Sequence, residues 1–208
     1  MELDLKSLGS DGAYKFMISA LVPRPIAFVS TLSQSGVRNL APFSYFMGVG
    51  PNPPMVAVSI GVHADGPKDT VRNLRERPEC VINLVSEELG PKMAVASGEY
   101  APEEDEFAIA GLTAEPSAKV APPRIAESMV SFECRAIDLR EYGHTPSTLV
   151  VCEIVWCRVK DEVYLADRGR VDTLKLHPVA RLGGPYYTRV TERFEIPRPD
   201  VRRKAPPK

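Results

Sequence analysis

Short hydrophobic runs separated by proline and glycine follow one another along this chain, and most of them have the character of strands. They are rich in β-branched and aromatic residues, which favour pleated, half-buried positions. The five clearest predicted strands run from Ile26 to Ser33, Met55 to Ile60, Glu79 to Val85, Met129 to Leu139 and Thr148 to Val159. The last two alternate between apolar and polar residues, which is typical of strands with one buried face.

A sixth predicted strand, Val37 to Tyr45, contains a proline and follows a hairpin turn at Ser35-Gly36. Because Pro42 has no N–H for a central ladder, we expect the segment from Asn39 to Ser44 to kink or to lie at a sheet edge. Backbone groups that a broken strand leaves out of its ladder need another partner. A planar heterocycle is one such partner, while water or a turn within the chain is the commoner one.

Helices and loops are predicted between the strands. Apolar residues at helical spacing predict a short helix from Gly12 to Leu21. Two further helices are expected from Lys68 to Arg77 and from Glu87 to Ser97. The segment 48–54, which is rich in glycine and proline, is expected to be a rigid loop.

The predicted fold class is mostly β, an antiparallel barrel with a few short peripheral helices. Strands do not alternate regularly with helices, which disfavours a doubly wound parallel sheet. Long strands joined by hairpin turns favour an antiparallel barrel. We divide the chain into an N-terminal extension at 1–11, one domain at 12–190 and a proline-rich basic tail at 191–208.

Composition excludes several classes of partner. The chain has 208 residues and a net charge of −1, so no overall field draws it to nucleic acid or to an anionic membrane. No apolar run approaches the roughly 20 residues that span a bilayer, and residues 1–12 lack the apolar core of a signal peptide. Five acidic residues between Glu99 and Glu106 are interpreted as a solvated loop.

The cysteines and the missing motifs narrow the chemistry further. The four cysteines are scattered without a CxxC pair, and three lie in apolar runs that predict buried thiols. We therefore expect a reducing, cytoplasmic setting with neither a disulfide nor a metal site. Neither GxGxxG nor GxxxxGK[ST] is present, which disfavours the Rossmann and P-loop modes of nucleotide binding. No GxSxG elbow frames a nucleophile.

Lys68-Asp69-Thr70 opens the second predicted helix directly after a glycine-containing turn. The free N–H groups and the positive dipole end of a helix suit a phosphate, to which Lys68 would add charge and Thr70 a hydroxyl donor. The commoner alternative is a plain helix cap at Asp69 or Thr70 beside a solvated lysine.

Other polar residues have two interpretations each. Ser30, Thr31 and Ser59 place hydroxyls inside apolar strands, where a phosphate or ribityl chain could lie, although buried hydroxyls more often bond to backbone. His177 and Arg181 lie four residues apart near the C-terminus. They belong either to a segment that closes over a site or to a turn whose histidine is bonded within it.

Four segments taken together resemble the flavin reductase-like family, which includes flavoredoxin-type proteins. They are PRPIAFVSTLS at 23–33, NLAPFSYF at 39–46, PPMVAVSIG at 53–61 and KDTVRNL at 68–74. Shorter pieces resemble it too, namely DEF at 105–107, AGL at 110–112, FEC at 132–134 and HPVARLGG at 177–184. The likeness covers residues 12–187 in order.

The resemblance implies an FMN-binding split β-barrel and a homodimer with the flavin near the subunit boundary. It implies that the isoalloxazine ring meets the backbone of Asn39, Leu40, Ala41, Pro42, Phe43 and Ser44. It implies that the ribityl phosphate meets Ser30, Thr31, Ser59, Lys68 and Thr70. It also implies that His177 and Arg181 approach as catalytic residues from the C-terminal segment.

The function implied by the resemblance is NAD(P)H-dependent flavin reduction by hydride transfer to flavin N5, so we expect an NAD(P)H:FMN oxidoreductase. Reduced flavin would leave for a partner monooxygenase or stay and pass electrons to another acceptor. Two alternatives stay open: a flavoredoxin-type FMN electron carrier with little NAD(P)H activity, and a non-catalytic barrel that binds a small molecule.

Overall fold

The largest element of the fold is a seven-stranded antiparallel sheet, seen in a computed structural model that describes residues 1–197 and 199. The strands are Ala27–Leu32 (β1), Arg38–Phe43 (β2), Phe46–Pro51 (β3), Pro54–Ile60 (β4), Val62–His63 (β5), Gly66–Pro67 (β6), Glu79–Leu84 (β7), Ala114–Glu115 (β8), Arg124–Ile125 (β9), Val130–Tyr142 (β10), Ser147–Val159 (β11), Tyr164–Leu165 (β12), Arg170–Val171 (β13), Val179–Arg181 (β14) and Tyr187–Arg189 (β15). The α-helices are Gly9–Ala20 (α1), Asp69–Glu76 (α2), Gly90–Ala96 (α3), Glu106–Ile109 (α4) and Thr173–Leu176 (α5), and 3-10 helices span Leu5–Leu8 and Asp161–Val163. None of the helices in the described part is long and apolar enough to cross a bilayer. The predicted tail at 191–208 lies in part outside the described residues.

The order of strands across the main sheet is β2-β1-β7-β10-β11-β4-β3, and all neighbours are antiparallel. The other strands form two-stranded ladders among themselves. The predicted mostly-β, antiparallel architecture with a few short helices is confirmed. Within residues 1–197 the main ladder does not close into a barrel, since β2 and β3 form its two edges.

The sheet is buried on both faces where β1 runs through it, which explains the uninterrupted apolar run in that strand. Ala27 and Val29 belong to one core cluster, which α2 covers. Ile26 and Phe28 belong to a second cluster, which α3 and α4 cover. Because successive side chains of a strand alternate between its faces, both sets of positions in β1 must be apolar.

The proline in β2 correctly predicted an edge strand. Pro42 lies opposite Phe28 of β1, and β2 is the first strand of the sheet order. A residue without an N–H is tolerated there because the outer side of an edge strand has no ladder to complete. The outer backbone groups of β2 are therefore available to other partners.

Residues 48–51 form part of a strand, so the prediction of a loop over the whole segment 48–54 was wrong. β3 pairs with β4 along its length, with a register irregularity between Gly48 and Gly50. β3 is the other edge of the sheet. An edge position and a bulge both accommodate the glycine and proline residues that disguised this strand in the sequence.

α2 begins without the predicted side-chain cap at Asp69 or Thr70. Lys68 occupies the N-cap position, where its side chain makes no capping hydrogen bond. Thr70 is 1% exposed, and its hydroxyl donates to the Asn39 side chain instead. Val71 and Leu74 face the core as predicted. The Val71 N–H donates to the Lys68 carbonyl at 2.9 Å, which leaves the N–H groups of Asp69 and Thr70 for another partner.

The predicted burial of three cysteines is confirmed. Cys80, Cys134 and Cys152 are free and buried on neighbouring strands, whereas Cys157 is exposed. Hydrogen bonding to Cys134 raises the pKa of the Cys80 thiol, and hydrogen bonding to Cys80 raises the pKa of Cys152. Since the thiolate is the reactive form, these two thiols are structural.

Candidate functional site

Two adjoining clefts lie beside the end of β2 and share Arg24 and Ser44 in their walls. The larger, of about 600 Å³, is bordered mainly by apolar side chains such as Met17, Leu21 and Phe46. The smaller, of about 230 Å³, lies between α1, β2 and the C-terminal strands. We refer to the two together as the Ser44 cleft. Each is of a size at or near that of typical small-molecule sites.

Arg24 holds the walls of the Ser44 cleft together. Arg24 is 7% exposed, and its guanidinium donates to the carbonyl oxygens of Ile18 at 2.6 Å, Leu21 at 2.7 Å and Leu182 at 2.9 Å. It also donates to the Ser44 hydroxyl at 3.3 Å. One side chain thereby joins the C-terminal end of α1, the end of β2 and the C-terminal segment.

The backbone of Arg24 strengthens the same junction. Its N–H donates to the Arg181 carbonyl at 3.0 Å, and the Arg181 N–H donates back at 2.8 Å. Sequence analysis did not single out Arg24 as a functional residue. The signal was present, since an arginine between Pro23 and Pro25 beside a buried strand needs several acceptors to offset its desolvation.

Tyr45 lies next to this cation and borders the larger cleft. The Arg24 guanidinium carbon lies 5.8 Å from the centre of the Tyr45 ring, a cation–π contact. Burial raises the pKa of the Tyr45 phenol, and Tyr14 raises it further. The protonated phenol is therefore a hydrogen-bond donor that borders the cleft, whereas the guanidinium donates to groups of the protein itself.

Several of the predicted site residues meet at the Ser44 cleft although they are far apart in sequence. Pro42, Phe43, Ser44 and Arg181 border the smaller part, and Ser59 borders the larger part together with Ser44. The Arg181 guanidinium is held by the Tyr187 hydroxyl and by the Gly184 carbonyl at 2.7 Å. The fold thus brings the end of β2 together with β4 and β14.

Leu40 and Ala41 contribute only their backbones to the outer side of β2. The Leu40 side chain is fully buried among α3 and α4, and Ala41 packs against the core cluster under α2. Side-chain contacts with a ligand therefore fall to the neighbouring positions in the strand.

The predicted hydroxyls at three positions are buried and already bonded within the protein. The Ser30 hydroxyl donates to the Pro123 carbonyl at 2.5 Å. The hydroxyls of Thr31 and Thr70 both donate to the Asn39 side-chain carbonyl, at 3.1 and 3.0 Å. All three residues are at most 1% exposed, so their side chains support the site from behind. For these three residues, the structure agrees with the alternative interpretation, in which buried hydroxyls bond to partners within the chain.

Asn39 is the centre of a buried polar network that joins four elements. Its carbonyl oxygen accepts from Thr31 of β1 and Thr70 of α2, and its amide donates to Glu106 of α4 at 2.9 Å. The Asn73 amide of α2 donates to the Thr31 hydroxyl at 2.9 Å. We call these five residues the Asn39 network.

The acidic segment before α4 is not simply a solvated loop, and that interpretation was wrong for its last two residues. Glu106 is 7% exposed, and its second oxygen accepts from the Leu40 backbone N–H at 3.0 Å. Burial raises the pKa of the Glu106 carboxyl, while the hydrogen bonds from Leu40 and Asn39 oppose that rise. Asp105 caps α4 and forms an ion pair with Arg38. Both acids bind β2.

Lys68 and His177 also lie outside the walls of the Ser44 cleft. Lys68 is half-buried at the N-cap of α2. His177 ends α5 in the left-handed conformation, with φ 47° and ψ 50°. It borders a separate hollow of about 270 Å³ together with Glu87 and Arg189. The structure therefore separates His177 from Arg181, which sequence analysis had grouped.

Comparison with known proteins gives consistent results for sequence and structure. The sequence model of a family described as flavin reductase like domain matches residues 19–175. An uncharacterised protein from Aquifex aeolicus is 40% identical over 193 residues, covering 91% of this chain and 95% of the relative. An uncharacterised protein from Halalkalibacterium halodurans is 38% identical and covers 97% of this chain and 98% of the relative.

Solved structures with similar folds include three whose functions are described. Nitrilotriacetate monooxygenase component B from Bacillus cereus has a TM-score of 0.91 at 30% identity, covering 94% of this chain and 98% of its own. The 2-nitrobenzoate 2-nitroreductase NbaA of Pseudomonas fluorescens has a TM-score of 0.88 at 28% identity, covering 99% and 100%. Flavoredoxin of Desulfovibrio vulgaris has a TM-score of 0.71 at 25% identity, covering 84% and 90%.

Proposed function

Because the chain belongs to the flavin reductase-like domain family, we propose that it is a flavoprotein oxidoreductase that binds FMN and reduces it with NAD(P)H. One observation carries the proposal. The Ser44 cleft joins the backbone at the end of β2 to Ser59 and Arg181, in a chain whose similar structures include a flavoredoxin and a nitroreductase.

The donors of the Ser44 cleft fit a flavin. The ring edge of a flavin carries several hydrogen-bond acceptors, and the hydroxyls of Ser44 and Tyr45 provide donors at the cleft beside the Arg24 charge. We propose that the backbone from Asn39 to Ser44 holds the ring. Ser59, Lys68 and the first N–H groups of α2 would hold the phosphate.

Burial distinguishes the residues proposed to contact the phosphate directly from those proposed to support the site. Lys68 is half-buried and Ser59 borders the larger cleft, so their side chains are the proposed direct contacts. Ser30, Thr31 and Thr70 are closed off by their own hydrogen bonds. Their proposed role is to fix the strand and helix backbones that face the phosphate.

The chain supplies positioning and an electrostatic environment for the reaction. When bound, the flavin provides the hydride chemistry. Met17, Leu21 and Phe46 form an apolar wall against which a flat ring can pack. Arg24 and Arg181 place positive charge at the cleft, where negative charge develops on reduction. His177 borders a neighbouring hollow, so any catalytic role for it requires movement of the segment that carries it.

A second copy of the chain is the proposed cover for the larger part of the cleft. Met17, Leu21 and Met47 are 42%, 52% and 60% exposed, which is unusual for apolar residues that border one site. A homodimer would bury them. A partner monooxygenase as the recipient of reduced flavin is proposed from the likeness to a monooxygenase component.

Anaerobic titration with NADH and NADPH tests the proposed reaction. We expect the chain, once loaded with FMN, to lose its visible flavin absorbance on addition of one of the two coenzymes. Flavin that stays oxidised with both, yet is reduced by a reduced donor protein, would replace the proposal with an electron carrier, the function that the likeness to flavoredoxin favours.

Replacing Lys68 with alanine is expected to weaken FMN binding by about 1–2 kcal/mol, since a charge-assisted bond to phosphate is lost. Affinity for riboflavin, which lacks the phosphate, should not change. Fluorescence titration with both flavins measures the difference. Lys119→Ala is the matched control, because Lys119 lies over Trp156 on another surface. Equal losses for FMN and riboflavin would remove Lys68 from the phosphate site.

A further inference from the structure

The Asn39 network connects the two pieces of chain to which we assign the flavin ring and the phosphate. β2 carries the proposed ring contacts, and α2 begins at the proposed phosphate contact. Asn39 is bonded to Thr70, the second residue of α2, at 3.0 Å. The position of α2 relative to β2 therefore depends on the orientation of one buried amide.

Glu106 fixes that orientation. A buried amide can turn over and exchange its oxygen and nitrogen, unless its partners select one orientation. The Glu106 carboxylate only accepts, so the Asn39 nitrogen must face it at 2.9 Å. The Asn39 oxygen is then directed to Thr31 and Thr70, which both donate.

Glu106 also completes the outer edge of β2. Its other oxygen accepts the Leu40 N–H at 3.0 Å, a backbone group that the one-sided ladder of an edge strand does not pair. The ion pair between Arg38 and Asp105 reinforces the contact one residue away. α4 thus covers β2 at the Asn39 end of the proposed ring-binding segment, so the Leu40 N–H is bonded to Glu106 and is not a donor to the ring.

We infer that Glu106 is a positioning residue for the flavin site. Through Asn39 it fixes the position of α2 relative to β2 without touching the ligand. The inference rests on the proposed function. It predicts a loss of flavin affinity and a changed environment of the bound ring when the carboxylate becomes an amide, even though the shape of the side chain is retained.

Glu106→Gln is the direct test. Its amide nitrogen must face either the Leu40 N–H or the Asn39 side chain, so either two donors come into contact or Asn39 turns over and presents its nitrogen to Thr31 and Thr70. We expect the FMN dissociation constant to rise about tenfold and the visible circular dichroism of the bound flavin to change. Glu104→Gln removes the same charge from an exposed position two residues earlier and should alter neither quantity.

A double-mutant cycle tests whether the effect travels through α2. If Glu106 positions the helix that begins after Lys68, Glu106→Gln should raise the FMN dissociation constant by a smaller factor in the Lys68→Ala variant than in the wild type. The factors of the two single variants should then not multiply in the double variant. Should Glu106→Gln fail to fold, Asn73→Ala breaks the other end of the same network, and the FMN dissociation constant should rise about threefold.

The outcomes separate this inference from the proposed function. Wild-type protein that does not bind FMN would refute both. Wild-type protein that binds FMN, together with a folded Glu106→Gln variant of equal affinity and unchanged circular dichroism, would overturn the inference alone. Losses that multiply in the cycle would also overturn it, since they would show that Glu106 and α2 act independently.

Discussion

Replacing Arg24 with alanine is expected to lower the free energy of unfolding by about 3–5 kcal/mol, since hydrogen bonds to a charged donor contribute roughly 1.5–3 kcal/mol each and do not add fully. The variant loses four such bonds, to Ile18, Leu21, Leu182 and Ser44. It should also bind FMN more weakly, because the walls of the Ser44 cleft lose their common anchor. Urea unfolding and a flavin titration measure the two effects.

Two further variants show which property of Arg24 matters. Arg24→Lys keeps the charge but lacks the planar guanidinium that can donate to several carbonyl groups at once. We therefore expect its free energy of unfolding to be closer to that of Arg24→Ala than to that of the wild type. Arg72→Ala removes a surface guanidinium that is 43% exposed and paired with Asp69, and should cost less than about 1 kcal/mol. An Arg24→Ala variant as stable as Arg72→Ala would contradict the role assigned to Arg24.

Glu133→Ala is expected to destabilise the fold by about 2–4 kcal/mol. Glu133 is fully buried on β10, and its carboxylate accepts the backbone N–H groups of Ala118 at 2.8 Å and Lys119 at 2.6 Å. The change removes two charge-assisted hydrogen bonds and leaves a cavity in place of a large side chain. Thermal unfolding followed by circular dichroism measures the loss.

The control for Glu133 is a carboxylate that makes a similar hydrogen bond at a more solvent-exposed position. Glu127 accepts the Thr113 N–H through both oxygens, at 3.1 and 3.2 Å, but its side chain is 34% exposed. Glu127→Ala should cost less than about 1 kcal/mol, because water replaces the lost acceptor. Equal losses at the two positions would mean that burial does not determine the contribution of Glu133.

Local patterns predicted those parts of the fold that local physics determines. β1 and β4 were found because their residues are apolar and β-branched, and Pro42 marked β2 as an edge. β3 was missed because its glycine and proline residues resemble a loop. Only its pairing with β4 makes it a strand, and pairing is a property of two segments.

The candidate site was predictable in outline, and its supporting contacts were not. The ends of β2 and β14 were predicted to meet a ligand from resemblance, and they do border one cleft. The roles of Arg24 and Glu106 were missed because each has a partner that is remote in sequence. Arg24 binds Leu182, 158 residues away, and Glu106 binds Asn39, 67 residues away. When only neighbouring positions in the sequence are considered, a charged residue with so distant a partner is interpreted as a surface residue.

A crystal structure of the chain with FMN would locate both the ring and the phosphate of the ligand. We expect the isoalloxazine ring along the backbone of residues 39–44 beside Arg24, and the phosphate at Lys68 and the first N–H groups of α2. Flavin bound only elsewhere on the surface, or a phosphate in contact with neither Lys68 nor α2, would contradict this expectation.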